Sequence, residues 1–306
     1  MKSAVFLTVM LFGMFYESVY ADENEIVSYI EAFRKTMHSD SYAEQRIMSL
    51  PLEQFLNQMT GYYVDSMVFI RQKAYHLTFR KGIESEIDIE RKLIIKRLLH
   101  NGFNDSDAGI KGLILRYLQQ FSRADFDDEC RSFIAEKIVQ TRATHYRELV
   151  LLAGYINAGN VEMYTLLADT ELPQRYRWYV SLALARMGDD ERAEYCVNML
   201  KRLPVNSDLT DYFLPDIIFT RHRAAIDYCV ELIFSDEKLC ETQNPDISEK
   251  ISCAWKVIPM LVNVIADFPV EIDASGEIVG DYQKAIQDLR EWLTENKDYK
   301  ILDTTF

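Results

Sequence analysis

Apolar residues recur three or four positions apart along most of the chain, which is the spacing of one face of an α-helix. Residues 178–203 show this pattern most plainly, as two apolar stripes separated by Gly188-Asp189-Asp190. Glycine accepts the left-handed backbone that often ends a helix, and aspartate can cap the helix that follows. The pattern therefore predicts an antiparallel helical hairpin, with stripes formed by Trp178, Leu182 and Ala185 and by Ala193, Cys196, Val197, Leu200 and Leu203.

This predicted hairpin is repeated in the sequence. The segment Ala193–Leu200 (AEYCVNML) matches Ile226–Ile233 (IDYCVELI), which lies 33 residues further along the chain. The same offset relates Tyr179 to Tyr212, so the match includes the preceding helix. Periods of this length are typical of stacked helical units, in which neighbouring units cover the apolar stripes that a single hairpin leaves exposed.

Similar pairs of stripes on both sides of the clear repeat extend the pattern to about six hairpins. Their second helices are expected to begin near Asp88, Asp127, Asn160, Asp190, Arg223 and Tyr282. The other first helices are expected at Met67–Phe79, Ile110–Phe121, Tyr146–Ala158 and Ile251–Phe268. Residues 22–60 are expected to add one or two helices that cap the N-terminal end. The sequence therefore predicts an all-α protein with a helical cap at 22–60 and an array of hairpins at 61–306.

The stretch Val180–Leu200 (VSLALARMGDDERAEYCVNML) resembles a HEAT-like repeat of the type described in phycobilin lyases. The resemblance implies a right-handed α-solenoid over residues 61–306, with a concave face lined by second helices and used to bind a protein partner. It implies no catalytic residues. Pro215 and Pro259 fall inside predicted first helices, where a proline would produce a kink. The residues that carry the resemblance are Leu182, Ala183, Ala185, Gly188, Asp189, Ala193, Val197 and Leu200.

The N-terminus has the pattern of a secretory signal peptide. Lys2 precedes the apolar run Ala4–Tyr16, and Val19-Tyr20-Ala21 fits the small-x-small rule for a cleavage site. We therefore expect residues 1–21 to be removed near Ala21 and the protein to be periplasmic or extracellular. The alternative is an uncleaved N-terminal anchor. No later segment has the length and apolar composition of a membrane span.

The five cysteines are Cys130, Cys196, Cys229, Cys240 and Cys253. This odd number is sparse for a disulfide scaffold. Cys240 and Cys253 flank a polar stretch. A disulfide between them would close this stretch into a loop and stabilise the fold by roughly 3 kcal/mol. The alternative is two unpaired thiols, one of them buried in a helix.

Composition and motifs exclude several classes of function. The chain has 48 acidic and 34 basic residues and a net charge of −14, which disfavours general binding to nucleic acid. The small numbers of glycine and proline, 11 and 7, argue against a fold rich in tight β-turns. The metalloprotease, nucleophile-elbow and P-loop motifs are absent from the sequence. We therefore expect no catalytic residues, no cofactor and no metal.

The remaining polar residues have structural interpretations. Acidic clusters at 105–107, 125–129 and 189–191 are expected to cap helices rather than bind Ca²⁺. His222 is expected in a solvated turn, and His76 is expected to pack on or within a helix. Tyr195 and Tyr228 recur at one register, either to close the contact between successive hairpins, which we favour, or to form an aromatic ladder for a partner.

Two functions remain open at this point. The first is a non-catalytic, exported protein-interaction scaffold. The alternative is a carbohydrate-active enzyme, a glycosidase or lyase, in which six hairpins close into an α/α toroid. In that fold the 18 Tyr, 16 Phe and 3 Trp would line a sugar groove. Two carboxylates roughly 5–10 Å apart would then occupy a central cleft.

Overall fold

A computed structural model describes residues 25–140, 143–242, 246 and 248–306. The predicted signal peptide, residues 1–21, lies outside the described residues. The described part is mostly helical and contains one short pair of antiparallel strands, which confirms the all-α class. The chain divides into two compact units, Met1–Leu77 and Thr78–Phe306. This division falls inside one helix rather than at residue 60.

The first unit has three helices within residues 22–60, where the sequence suggested one or two. Helix α1 packs on α2 and α3, and Ile26, Ile30, Phe55 and Met59 are fully buried. The helices are α1 Glu25–Thr36, α2 Ser41–Ser49 and α3 Leu52–Met59, followed by a 3-10 turn Thr60–Val64 and by α4 Val68–Ile83, which crosses into the second unit.

A buried polar cluster connects these helices. Lys73 Nζ lies 2.5 Å from Glu44 Oε1 and 2.8 Å from Ser39 Oγ, and the Tyr29 hydroxyl also donates to Glu44. The Lys73 and Glu44 side chains are both almost inaccessible to water. Their pairing offsets the cost of removing each charge from water, so the cluster has a structural explanation.

The second unit contains the predicted hairpins from α5 onwards. Every second helix begins at the predicted residue or, for α7, one residue later. The helices are α5 Asp88–Phe103, α6 Ala108–Leu118, α7 Asp128–Ile138, α8 Tyr146–Tyr155, α9 Asn160–Ala168, α10 Gln174–Arg186, α11 Asp190–Leu200, α12 Leu214–Phe219, α13 Arg223–Ile233, α14 Ala254–Leu261 and α15 Tyr282–Glu295. A 3-10 turn, Arg123–Asp125, precedes α7, and a π-turn, Leu209–Phe213, precedes α12.

The first helices of successive hairpins pack on one another. Helix α6 contacts α8, α8 contacts α10, α10 contacts α12, and α12 contacts α14. The second helices α5, α7 and α9 likewise pack in sequence, as do α11 and α13. Helix α10 lies especially close to α8, because Gly154 presents no side chain to Ala183. Each hairpin therefore buries its apolar stripes mainly against its neighbours.

Aspartates cap the helices, as the acidic clusters predicted. The side chains of Asp107, Asp127 and Asp189 accept hydrogen bonds from backbone N–H groups in the first turns of α6, α7 and α11. His222 occupies the same position before α13, where its Nδ1 accepts from the N–H of Ala224. It is thus a capping residue, and its Nε2 lies 2.8 Å from Asp190 Oδ1.

The bounds predicted for the first helix at Ile251–Phe268 are wrong at both ends. Ile251–Ser252 forms strand β2, which pairs with β1, Lys238–Cys240, and a disulfide joins Cys240 to Cys253. Helix α14 begins at Ala254 and ends at Leu261. Pro259 lies inside this helix, where it has no N–H to donate to the Trp255 carbonyl one turn earlier. The other proline, Pro215, lies in the first turn of α12, where its missing N–H is tolerated.

The close approach of α8 and α10 generates a first prediction. A Cβ at residue 154 would lie 2.7 Å from the Ala183 Cα, so Gly154→Ala must push the two helices apart. We expect the free energy of unfolding to fall by about 1–3 kcal/mol in urea denaturation. Gly61→Ala is the matched control, because a Cβ there meets nothing within 4 Å. Equal stability of the two variants would contradict the role assigned to this contact.

The cap of α7 generates a prediction about pH. Burial alone would raise the pKa of Asp127, but hydrogen bonds from Lys96 Nζ and the Cys130 N–H outweigh it and lower this pKa to about 2. A lowered pKa stabilises the fold above the ordinary value near 3.8, and the gain disappears as pH falls towards 2.

The test compares Asp127→Asn with wild type, since asparagine keeps a cap but has no charge. We expect a loss of about 1 kcal/mol at pH 7 that shrinks between pH 4 and pH 2, measured by urea denaturation. Asp128→Asn, at the exposed neighbouring carboxylate, is the control. A loss that is the same at pH 7 and pH 2 would contradict the assignment.

Candidate functional site: an aromatic cleft on the first helices

A cleft of about 620 Å³ opens between α10, α11 and the π-turn before α12. Four aromatic side chains line it: Trp178 and Tyr179 from α10, and Tyr212 and Phe213 from the π-turn. We call it the aromatic cleft. Tyr179 and Tyr212 are the pair related by the 33-residue repeat, so the stacking of hairpins places equivalent residues side by side.

The aromatic rings remain accessible to a ligand. The Tyr212 side chain is 70% exposed, Phe213 is also exposed, and Trp178 and Tyr179 are half-buried. Leu200 and Pro215 add further apolar surface to the lining. The π-turn explains this exposure, because its wider backbone precedes Pro215 and carries Tyr212 on the outside of the hairpin.

A charged network holds one wall of the cleft. The nearly buried Asp216 accepts from Arg147 Nη2 at 2.5 Å and from Trp178 Nε1 at 2.8 Å. Burial alone would lower the pKa of Arg147, but the hydrogen bond to Asp216 outweighs it and the pKa is raised. Arg147 therefore stays charged, and the network fixes the indole ring of Trp178 between α8 and α12.

Two further clefts adjoin the aromatic cleft along the first helices. One, of about 490 Å³, shares Asp211 with it, and Asp211 is paired with Lys256 Nζ at 2.8 Å. The other, of about 510 Å³, shares Arg147 and Pro215 and is also lined by residues of α6 and α14. First helices contribute to all three clefts and form most of the lining of the aromatic cleft and of the 510 Å³ cleft, whereas the sequence pointed to second helices as the binding face.

Tyr195 and Tyr228 line none of these three clefts. Tyr228 is buried, and Lys201, which follows α11, lies over its ring at 5.4 Å. Tyr195 is half-buried and its hydroxyl accepts from Gln174 Nε2 at 3.2 Å. The contact of Tyr228 joins successive hairpins, as the stacking interpretation predicts, whereas that of Tyr195 lies within its own hairpin.

The other residues singled out from the sequence do not meet at one place. His76 lies on α4 in the first unit, His222 caps α13, and the acidic clusters cap their own helices. In the ranges that the structure describes, no group of three or more His, Cys, Asp or Glu side chains is placed to hold a metal ion. Sequence reasoning did not identify the aromatic cleft; the Tyr179–Tyr212 repeat was its only signal.

Comparisons with protein-family models, with curated proteins and with solved structures find no match for this chain. None of the described helices is both long and apolar enough to cross a bilayer.

Proposed function

We propose that this protein is an exported, right-handed α-solenoid of HEAT-like repeats that acts as a non-catalytic scaffold for a protein partner. The successive packing of first helices from α6 to α14 supports the solenoid, because each of these helices contacts the next one in the row. The recurrence of one turn supports the repeat. Gly188 and Arg221 lie 33 residues apart, both have positive φ, and each precedes the capping residue of a second helix.

The aromatic cleft is the proposed binding site for an extended segment of the partner. Its volume accommodates one or two large side chains, and its lining is mostly apolar and aromatic, with Arg147, Arg175 and Asp211 at the rim. Binding hot spots are enriched in Trp, Tyr and Arg and are surrounded by polar groups. A mostly apolar lining suits an apolar side chain better than a sugar, whose many hydroxyl groups need polar partners.

The concave face in this proposal is formed by first helices. Arg116 of α6 and Met260 of α14 line the same cleft although three first helices separate them in the row. A row that bends towards this side would bring such distant members together. The same bend would place the aromatic cleft on the inner surface, where a partner gains most contact.

The ion pairs in the cleft support a binding role over glycoside hydrolysis. The two carboxylates in its lining are each paired with a cation, Asp216 with Arg147 and Asp211 with Lys256. Glycosidases need one protonated carboxyl group and one free carboxylate aimed at the sugar.

Export is supported by the disulfide between Cys240 and Cys253 in the folded chain, since such bonds persist mainly in oxidising compartments. We expect the mature protein, recovered from cells that make the full chain, to begin at Asp22. N-terminal sequencing or intact mass measures this directly. A mature protein that retains Met1 and remains in the cytoplasm would contradict the proposal.

Selection from a library of random peptides tests the binding site. We expect peptides that bind with micromolar Kd and carry an aromatic or aliphatic anchor residue. Tyr212→Ala should weaken their binding about tenfold or more in isothermal titration calorimetry, because it removes an exposed ring of the cleft.

Tyr42→Ala is the matched control, since Tyr42 is also 70% exposed but lies on α2 in the first unit. Its affinity should stay within about twofold of wild type. Failure to select any binder, or equal losses in the two variants, would count against the aromatic cleft. A glycan array screened with the same proteins tests the carbohydrate alternative.

A further inference from the structure

The segment Leu302–Phe306, here called the strap, crosses the ends of several first helices in the second unit. It enters from a β-bridge between Ile265 and Ile301, and the N–H of Leu302 donates to the Val264 carbonyl at 2.7 Å. Beyond that point it lies against five side chains, here called the arginine cradle: Arg123, Tyr155, Arg186, Phe219 and Arg221.

The strap is held in the manner of a bound peptide. Asp303 accepts from both terminal nitrogens of Arg123 at 3.1 Å and lies 2.8 Å from Arg186 Nη2. The carbonyl of Thr305 accepts from Arg186 at 2.6 Å, and that of Thr304 accepts from the Tyr155 hydroxyl at 3.3 Å.

The aromatic end of the strap has its own partners. The Phe306 ring lies 5.0 Å from that of Phe219 and 5.5 Å from that of Tyr155, measured between ring centroids, and the Phe306 carbonyl accepts from Arg221 at 3.4 Å. The cradle thus contacts the carboxylate of Asp303, the main-chain carbonyls of the next three residues, and the ring of Phe306, which lies three residues after Asp303.

Burial differs sharply between the two sides of this contact. Asp303 is 51% exposed and Thr304 and Thr305 are exposed, whereas the Arg186 side chain is 0% exposed. Arg186 also lies over the rings of Tyr155 and Phe219. The strap is therefore a surface segment that covers the Arg186 side chain. Releasing it would rehydrate guanidinium groups and uncover the ring faces of Tyr155 and Phe219 that Phe306 contacts.

The cradle carries more positive charge than the strap neutralises. Arg123 and Arg186 both pair with Asp303, whereas Arg221 donates to main-chain carbonyls and has no carboxylate partner in these contacts. Within the described residues, the Nε atoms of all three arginines are buried without a hydrogen-bond partner. Burial and the neighbouring arginines lower the pKa of Arg186 to about 10, with Asp303 opposing the shift. A segment with a second acidic residue would balance this charge better than the strap does.

The repeat explains how the cradle is built. Tyr155, Arg186 and Phe219 each lie two residues before a positive-φ turn residue, so they are equivalent positions in successive first helices. The third turn residue is Arg221, at φ 52°, where the preceding hairpin has Gly188. An arginine in this conformation costs about 1 kcal/mol relative to glycine. In this position the Arg221 side chain contributes a guanidinium group to the cradle.

We propose that the arginine cradle is a second peptide-recognition site, specific for an extended segment with an acidic residue followed three positions later by an aromatic one. The strap occupies this site in cis, and an acidic segment of a protein partner displaces it. The proposal does not depend on the aromatic cleft, because none of the five cradle residues lines that cleft. Recognition of acidic motifs by clustered arginines is a common mode of peptide binding.

The test uses a fluorescent peptide with the sequence of residues 297–306 (KDYKILDTTF) and the full chain. In wild type the tethered strap competes at an effective concentration of about millimolar, so the peptide should bind weakly. The double variant Asp303→Ala, Phe306→Ala releases the strap and should bind the peptide about tenfold or more tightly by fluorescence anisotropy.

Changes in the peptide and in the cradle test the specificity. A peptide with Asp303→Asn should lose about tenfold in affinity for the double variant, and one with Thr304→Glu should gain severalfold. Adding Arg123→Gln to the double variant should cost about tenfold. Arg123 is partly exposed, so this change leaves the fold intact, which circular dichroism checks. Arg202→Gln, at an exposed arginine just after α11, is the matched control and should change nothing.

Two results would overturn the proposal. One is equal affinity of wild type and the double variant for the peptide, which would mean that releasing the strap uncovers no site. The other is binding that is insensitive to both Asp303→Asn in the peptide and Arg123→Gln in the protein. Either result leaves the proposal about the aromatic cleft standing, because that proposal is measured with other peptides and with Tyr212→Ala.

Discussion

The contact between Gly154 and Ala183 sets the spacing of helices on which the second unit depends. Two helices can approach this closely only where neither presents a bulky side chain at the crossing, and α8 and α10 meet in this way. That spacing brings Arg147 within hydrogen-bond distance of Asp216 on α12, two hairpins along the chain. The same row of first helices lines up Tyr155, Arg186 and Phe219 at its other end. Both proposed sites therefore rest on one packing constraint.

The two sites use charge in different ways. In the aromatic cleft, Asp216 is matched by Arg147 and Trp178, so the network positions an indole ring and leaves the apolar surface for recognition. In the arginine cradle, Arg123 and Arg186 share Asp303, which is half exposed, and the remaining positive charge is the proposed recognition element. A chain with a net charge of −14 would be expected to disperse its arginines among acidic partners. The arginine cradle differs from this expectation, because the fold places Arg123, Arg186 and Arg221 together beneath the strap.

Most local structure could be predicted from the sequence because its signals are local. The start of α11 follows from the Gly188-Asp189 turn and the apolar spacing after it, and α13 begins at the same place in the repeat. The prediction was wrong around Ile251–Phe268, where apolar spacing alone suggested a long helix. There the pairing of β2 with β1 and the bridge to Cys240 delay the start of the helix to Ala254, and the spacing of apolar residues contains neither effect.

The sequence by itself determined the helical class, the positions of the turns and caps, and the register of the repeat. Each of these depends on residues within a few positions of one another. Only the tertiary structure decided which distant residues meet: Arg147 with Asp216, and Arg123 with Asp303. The two residues of each pair lie on different elements, and the two pairs have no common separation along the sequence. Their contacts therefore depend on how the hairpins stack and on the path of the chain after α15. The stacking geometry follows from close packing summed over many side chains, and no short pattern of residues encodes it.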